Sequence, residues 1–356
     1  MHEIDIAIVG CGYVANDHFK AWQKVKGARI VAVSDLNENV AKKAAENWKV
    51  PKYFSNLTDL LAKSDVDVVD ICTPPQFHAD LAVEAMKAGV NVLIEKPMTM
   101  TVKEAEKIVE CQKATGVKAG VIHNWLFDSP VLQADSIIKK GNLGEILHVE
   151  IETLNVKHDF MAANEHHWCH KMPGGRFSEM LAHPIYLLRH FLNGEIEVSD
   201  VQVSKVGNYQ WMKSDELCAI FRVGKKLGRL YCSFNSSRDA VNINLYGTEG
   251  IIKMDLINTI LMFLPKRRDS RFNKGFDSLR QAWQIVKCIA KNAAKILSRR
   301  WISGHDLCIK LFAESIISNY DPPVSVAEGL AVVKTLEEMC NKIADLEKIE
   351  RRTLFS

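Results

Sequence analysis

The sequence is short of several things, and each shortage narrows what the chain can be. No apolar run approaches the roughly 18 residues of a membrane span, so no transmembrane helix is expected. Net charge is scarce. A value of +3 over 356 residues gives no global attraction to nucleic acid or to a membrane. The nine cysteines, at 11, 72, 111, 169, 218, 232, 288, 308 and 340, never form a C-x-x-C pair. Scattered and odd in number, they suggest reduced thiols in a cytoplasmic protein rather than a zinc site or a disulfide framework. The opening MHEIDIAIVG lacks a basic n-region and a cleavage site, which also points to the cytoplasm. No internal repeat or low-complexity tract stands out. At 47% hydrophobic and 25% charged, the composition is that of an ordinary soluble globular protein, long enough for about two domains.

What is present is a rhythm. A short apolar run over 4–9 is closed by Gly10, and further runs follow at 29–33, 66–71, 91–94 and 119–122. Helical stretches lie between them, at about 14–26, 37–47, 77–87 and 102–114. Short buried strands alternating with helices predict a doubly wound parallel sheet with right-handed crossovers. After about residue 124 the pattern changes. A helix over 129–140 leads to a long strand at 145–156, then to a His-rich loop and a helix at 178–192. Strands at 196–206, 214–223, 227–236, 240–247 and 250–255 are joined by turn signals and predict a second, mostly antiparallel sheet. Helices at about 305–319 and 326–348 close the chain. The expected domains are therefore 1–124 and 125–356, in an α/β protein whose second domain is α+β.

Three motifs sit where strands end. The first strand runs into Gly10-Cys11-Gly12-Tyr13-Val14-Ala15, a G-x-G-x-x-A turn leading into a helix. Gly10 allows the tight turn, and Gly12 lets the backbone of this loop, with Tyr13 and Val14, approach a pyrophosphate. Ala15 permits close helix packing, with the phosphate on the helix N-terminus. The second strand ends at Asp35, 25 residues past Gly10. A carboxylate there can accept from both ribose hydroxyls and would repel a 2′-phosphate, so NAD is expected over NADP. A glycine turn in a protein that binds no nucleotide is the plainer reading. Next, Thr73-Pro74-Pro75 and His78 follow a strand. The prolines shape a loop where a cofactor would lie, and His78 either meets that cofactor or caps its own helix. Finally, the apolar Val92-Leu93-Ile94 stops in Glu95-Lys96-Pro97. Charges are costly to bury unless something meets them. Either a ligand does so here or the two form a surface ion pair.

In this order and spacing the motifs resemble the glucose–fructose oxidoreductase / inositol dehydrogenase / MocA family. The resemblance covers essentially the whole chain, is strongest in residues 1–124, and has E-K-P as its most specific element. It implies a Rossmann domain followed by a domain with a large open sheet, and hydride transfer between a sugar or polyol and a nicotinamide cofactor. Lys96 falls on the family lysine that binds substrate hydroxyl and cofactor ribose, and Glu95 on the acid beside it, near the nicotinamide end. The Lys96–Pro97 bond is expected to be cis. In residues 174–190, GGRFSEMLAHPIYLLRH, His183 matches the family histidine, while Glu179 stands where aspartate is usual. Four residues apart on a helix, these two share a face. His183 could take a proton as hydride leaves, and Glu179 could orient it or bind a substrate hydroxyl. Leu126 replaces an arginine common in the family, and Asn124 is expected near the cofactor or substrate. A protein of this fold that holds NAD and senses a sugar is the alternative, as is a non-redox enzyme that uses tightly bound NAD internally.

Two clusters lie outside these motifs. The run His166-His167-Trp168-Cys169-His170 invites zinc, but adjacent histidines in a strand face opposite sides, so no metal is expected. The resemblance places Trp168 at the substrate pocket instead, and His305 either reaches that pocket or serves packing or capping. Residues 266–301 hold eleven Lys and Arg against two acids. Phe276, Leu279, Trp283, Val286, Ala290, Ala293 and Leu297 recur there at helical spacing, with Arg280, Lys287, Lys291 and Lys295 off that stripe. A helix packed on its own domain or a sister subunit is the default. Docking on an anionic membrane surface and a lid over a phosphorylated or nucleotide-linked sugar are the other readings. An open sheet face is normally covered, so a homodimer or homotetramer is expected.

Overall fold

The computed structural model describes residues 4–156, 159–266, 271–298 and 300–354. Arg267, Arg268 and Arg299 of the basic segment lie outside the described residues. In chain order the elements are β1 (Ile4–Val9), α1 (Ala15–Trp22), β2 (Ala28–Ser34), α2 (Glu38–Trp48), β3 (Lys52–Phe54), α3 (Leu57–Lys63), β4 (Val68–Ile71), α4 (His78–Lys87), β5 (Asn91–Ile94), α5 (Val102–Thr115) and β6 (Ala119–Val121). Then come α6 (Ser129–Lys139), β7 (Ile146–Val156), α7 (Phe160–Ala163), α8 (Arg176–Leu192), β8 (Glu197–Ser204), β9 (Glu216–Val223), β10 (Lys226–Ser236), β11 (Ala240–Gly247), β12 (Gly250–Asp255), β13 (Ile260–Pro265), α9 (Arg271–Leu297), α10 (Gly304–Ile317) and α11 (Val326–Leu354). They form two compact units, Met1–Phe127 with Ser303–Glu337 and Asp128–Ile302 with Glu338–Ser356.

In the first unit all neighbouring strands are parallel, in the order β3-β2-β1-β4-β5-β6. The strand order reverses between β1 and β4, the position where doubly wound sheets bind ligands. Strand alternation then decides what faces what. Ala7, Val9, Val69, Ile71, Val92 and Ile94 point to the face covered by α4 and α5. Ile6, Ile8, Val68 and Leu93 point to the other face, with Phe19 and Trp22 of α1 and Ile309 and Phe312 of α10. Side chains alternate along a strand, so Asp70 and Glu95 must point to this second face as well. Burying a side chain such as Phe312 there contributes roughly 1.5–3 kcal/mol. Caps fix the helix ends. Thr101 and Glu104 form a capping box at α5, which closes on Gly116 at φ 71°.

The expected second domain ran from 125 to the C-terminus, but Ser303–Glu337 cluster with the first unit. The reason is burial: Cys308, Ile309, Phe312 and Ala313 complete the core of β1 and α1. Lys24 adds two 2.8 Å hydrogen bonds to Asp306.

The second unit holds a seven-stranded sheet, ordered β13-β12-β11-β7-β10-β9-β8. Neighbours are antiparallel except β7 and β10. Helix α8 packs on β7 and β10. Strand β13 was not among the expected strands, because Ile-Leu-Met-Phe-Leu-Pro lacks the apolar–polar alternation that marks a half-buried strand. Helix α9 packs on its own unit, against β13, but not through the stripe read from the sequence: Phe276, Leu279, Trp283, Val286 and Leu297 are exposed.

Candidate functional site

The glycine turn is built for close approach. Gly10 has φ 90°, and a Cβ there would lie 2.7 Å from the Thr73 amide nitrogen, so only glycine fits. Around Gly12 there is open space, and a Cβ at this position would meet nothing within 4 Å. Val14, at the start of α1, supplies no side-chain cap, so no side chain competes for the helix's first amides. Tyr13 is exposed beside them. Asp35 is held in place: Oδ2 accepts from the Cys11 N–H at 3.0 Å and Oδ1 from the Asn37 N–H at 2.9 Å. A carboxylate offers about four acceptor positions, so each oxygen keeps capacity for a hydroxyl donor. Thr73 follows β4, and its buried Oγ1 has no hydrogen-bond partner. His78 is fully buried, with Nε2 2.7 Å from the Thr73 carbonyl and Nδ1 3.2 Å from those of Pro97 and Met98. Burial lowers its pKa, with the carbonyls pulling the other way. Its side chain thus ties the 73–74 loop to the cis Lys96–Pro97 turn, rather than reaching a ligand.

Beyond β5 the two charges part company. Lys96 is half-buried, and Glu95 turns inward. Glu95 Oε2 accepts from the Lys96 N–H at 2.9 Å, and Oε1 lies 2.8 Å from His18 Nε2 and 3.6 Å from His305 Nε2. His18 Nδ1 in turn lies 2.8 Å from Asp70 Oδ2, which also accepts from Trp22 Nε1 at 2.6 Å. Asn124 Nδ2 is 3.3 Å from His305 Nδ1. Burial disfavours the His18 imidazolium, but Asp70 outweighs it and holds the pKa well above the usual range. Burial likewise disfavours the Glu95 carboxylate, but hydrogen bonds from His18 and His305 hold it well below. A line of alternating charge, Asp70–His18–Glu95, therefore runs through the unit to the backbone of Lys96 and to His305.

His18 and Asp70 were not singled out in the sequence, although both left a signal. Asp70 interrupts a four-residue strand that is otherwise apolar and wholly buried, which demands a buried partner. His18 occupies the buried face of α1 with Ala15, Phe19 and Trp22. Among the described residues, the groupings with metal-ligand potential are His18–Asp70–Cys72 and His18–Glu95–His305, not the 166–170 loop. Contacts of 2.8 Å from His18 are hydrogen-bond distances, and they account for both of its nitrogens.

In the second unit, α8 carries Glu179 and His183, both buried. Glu179 pairs with Arg176 one turn earlier, and Arg176 also reaches Asp159 at 3.3 Å and lies 5.0 Å from the Phe234 ring centroid. His183 Nδ1 is 2.8 Å from the Tyr186 hydroxyl. Arg176, Asp159 and Tyr186 were not read from the sequence. Trp168 is half-buried in a short turn, its ring centroid 5.2 Å from that of His167. A cavity of about 140 Å³ opens beside the Gly174–Gly175 turn, lined by His170, Arg176, Trp211 and Ser214 among others.

Residues 4–123 match the model of the GFO/IDH/MocA oxidoreductase family with an NAD-binding Rossmann fold, and residues 131–253 match the GFO/IDH/MocA C-terminal domain. The chain belongs to this family. Oxidoreductase P35 of Formosa agariphila is 31% identical over 201 residues, 54% of this chain and 62% of that protein. Inositol 2-dehydrogenase of Gluconacetobacter diazotrophicus is 30% identical over 149 residues, 41% of this chain and 44% of that one. The match thus spans less than two thirds of either relative. The fold is that of the WlbA dehydrogenase from Bordetella pertussis, solved with NADH and UDP-GlcNAcA, at a TM-score of 0.80 and 19% identity over 97% of this chain and 96% of that one. In this GFO/IDH/MocA chain the Gly10–Ala15 turn, Asp35 and the 73–74 loop converge at the sheet's switch point, and the residues present fit a dinucleotide.

Proposed function

We propose that this GFO/IDH/MocA member is an NAD-dependent dehydrogenase acting on a secondary alcohol of a sugar or cyclitol. The observation that carries this reading is the first unit's C-terminal sheet edge. There an uncapped glycine turn and a pinned acid share the sheet edge with Lys96, which lies just past the end of β5. The strands are parallel, so Gly10, Asp35, Thr73 and Lys96 all follow strand ends on one edge. The backbone of Gly10–Val14 would take the pyrophosphate, and Asp35 the adenosine ribose hydroxyls. An acidic residue at this position favours NAD over NADP.

When bound, the nicotinamide supplies a two-electron acceptor for hydride. The chain's own groups manage the proton. Lys96 is proposed to bind the reacting hydroxyl and the cofactor ribose. Glu95 works through it: its Oε2 grips the Lys96 amide, and its charge is held by His18. His183, with Nδ1 set by Tyr186, is proposed to accept the alcohol proton. Glu179 and Arg176 fix the start of that helix. A nucleotide-linked sugar is the first class to try, because the similar WlbA structure holds UDP-GlcNAcA. Inositol is the second, given the inositol 2-dehydrogenase relative.

The test is cofactor reduction with NAD and with NADP across UDP-sugars, sugar phosphates, free aldoses and inositols. A signal with one class and with NAD names the substrate. Silence throughout, with NAD bound in calorimetry, would remove the net dehydrogenase reading.

A further inference from the structure

Helix α9 is mounted the wrong way round for a helix whose job is to cover a core. Three of its side chains, one turn apart, seal the free edge of β13. Gln284 accepts from the Phe263 N–H at 2.9 Å and donates to the Phe263 carbonyl at 3.2 Å. Cys288 Sγ lies 3.6 Å from the Leu261 carbonyl, and Asn292 donates to the Thr259 carbonyl at 2.9 Å. The match is geometric. Four helix residues rise about 6 Å, and two strand residues about 6.7 Å, so 284, 288 and 292 stay in step with 263, 261 and 259. Edge strands normally need such blunting.

This seal fixes the rotation of the helix, and so decides what faces outward. Phe276, Leu279, Trp283, Val286, Ile289 and Leu297 all lie away from β13 and are exposed, Trp283 at 68% and Leu297 at 85%. Arg280, Lys287 and Lys291 are exposed along one flank of that stripe. A contiguous apolar face of this length on a water-facing helix implies a covering partner. The flank says which kind. Segment 266–301 carries eleven Lys and Arg and two acids, in a chain of net charge only +3. Meeting stripe to stripe, a second copy would bring the same basic flank and no countercharge at the contact. An anionic lipid surface supplies both an apolar layer and negative headgroups.

We propose that α9 is a membrane-surface helix, its apolar stripe lying in the headgroup boundary of an anionic phospholipid leaflet with the Arg280–Lys287–Lys291 flank on the phosphates. It does not span the bilayer: no described helix is long and apolar enough to cross one. The seal to β13 makes the stripe a fixed fin on the second unit.

The test is co-sedimentation of the full chain with vesicles of phosphatidylcholine alone and of phosphatidylcholine with phosphatidylglycerol. The chain should pellet with the anionic vesicles only, and less so as salt is raised. The pair Leu279→Glu and Trp283→Glu should abolish pelleting. The pair Lys287→Glu and Lys291→Glu should reduce it by roughly tenfold or more. Both variants should keep wild-type NAD binding in calorimetry. Failure of the wild type to pellet with anionic vesicles would overturn the proposal, as would equal pelleting with both kinds. A concentration-dependent dimer that Leu279→Glu and Trp283→Glu split would also overturn it and give the stripe to a second copy. None of these readouts depends on dehydrogenase activity, so the two proposals stand or fall separately.

Discussion

Replacing His18 with asparagine removes the cation that separates two buried carboxylates. In the wild type His18 is fully buried and lies 2.8 Å from both Asp70 and Glu95, themselves almost inaccessible to water. Breaking one buried ion pair by deleting a partner costs about 3–5 kcal/mol, because a charge is left uncompensated. For a unit of this size that is a fall of roughly 6–20 °C in its melting temperature. The pH dependence has a definite sign. His18 has a raised folded pKa, so its contribution is complete below the unfolded value of about 6.5 and is lost as pH rises through the folded value. Glu95 has a lowered one, so its contribution is complete above about 4.3 and is lost as pH falls through the folded value. In His18→Asn the buried Glu95 loses the main partner that holds its carboxylate charged, so the stability it contributes above the unfolded value shrinks. The deficit should therefore be small at acid pH and grow toward neutrality. Calorimetric melts of both proteins from about pH 4 to 8, spanning both unfolded values, read it directly. A deficit below about 1 kcal/mol, or one flat across this range, would mean that His18 does not hold Asp70 and Glu95 as a buried cation.

Gly10→Ala would force a Cβ to within 2.7 Å of the Thr73 amide at a positive φ, so NAD binding in calorimetry should weaken by one to two orders of magnitude, matching about 1–3 kcal/mol of strain. Asp35→Ser removes the negative charge that disfavours a 2′-phosphate, and the ratio of NADP to NAD turnover should rise at least about tenfold. Arg176→Ala strands Glu179 and Asp159, and should lower the unfolding free energy of the second unit, read from denaturant melts, by about 3–5 kcal/mol. Arg176→Lys should recover only part of that, since one ammonium cannot reproduce the forked contact.

Five strands of the parallel sheet were legible because they are short apolar runs closed by turn residues, and the first functional motif sits at the end of the first of them; the sixth, the exposed β3 at Lys52–Phe54, has no such run and was not expected. The glycine turn, Asp35 and Lys96 could be named for the same reason: strand ends are where the chain must change chemistry. Glu95 was visible but its partner was not. His18 stands 77 residues away, and only the alternation of β5 and the packing of α1 bring them together. Pairings of this kind between distant polar residues have no local period to betray them. The same holds for Arg176 and Asp159, 17 residues apart across α7 and the turns that follow it. In α9 the period was legible and the direction of its apolar side was not, since nothing in a helical repeat says that polar side chains will seal a strand edge and turn the apolar ones out.

Lys96 is proposed to handle substrate at the sheet edge where the dinucleotide would bind. Turnover and NAD affinity, measured side by side for the wild type and Lys96→Met on the substrate found in the panel, test it most directly. In Lys96→Met turnover should fall by at least about a thousandfold, with an unchanged melt and NAD affinity within about tenfold. Turnover close to wild type would contradict it.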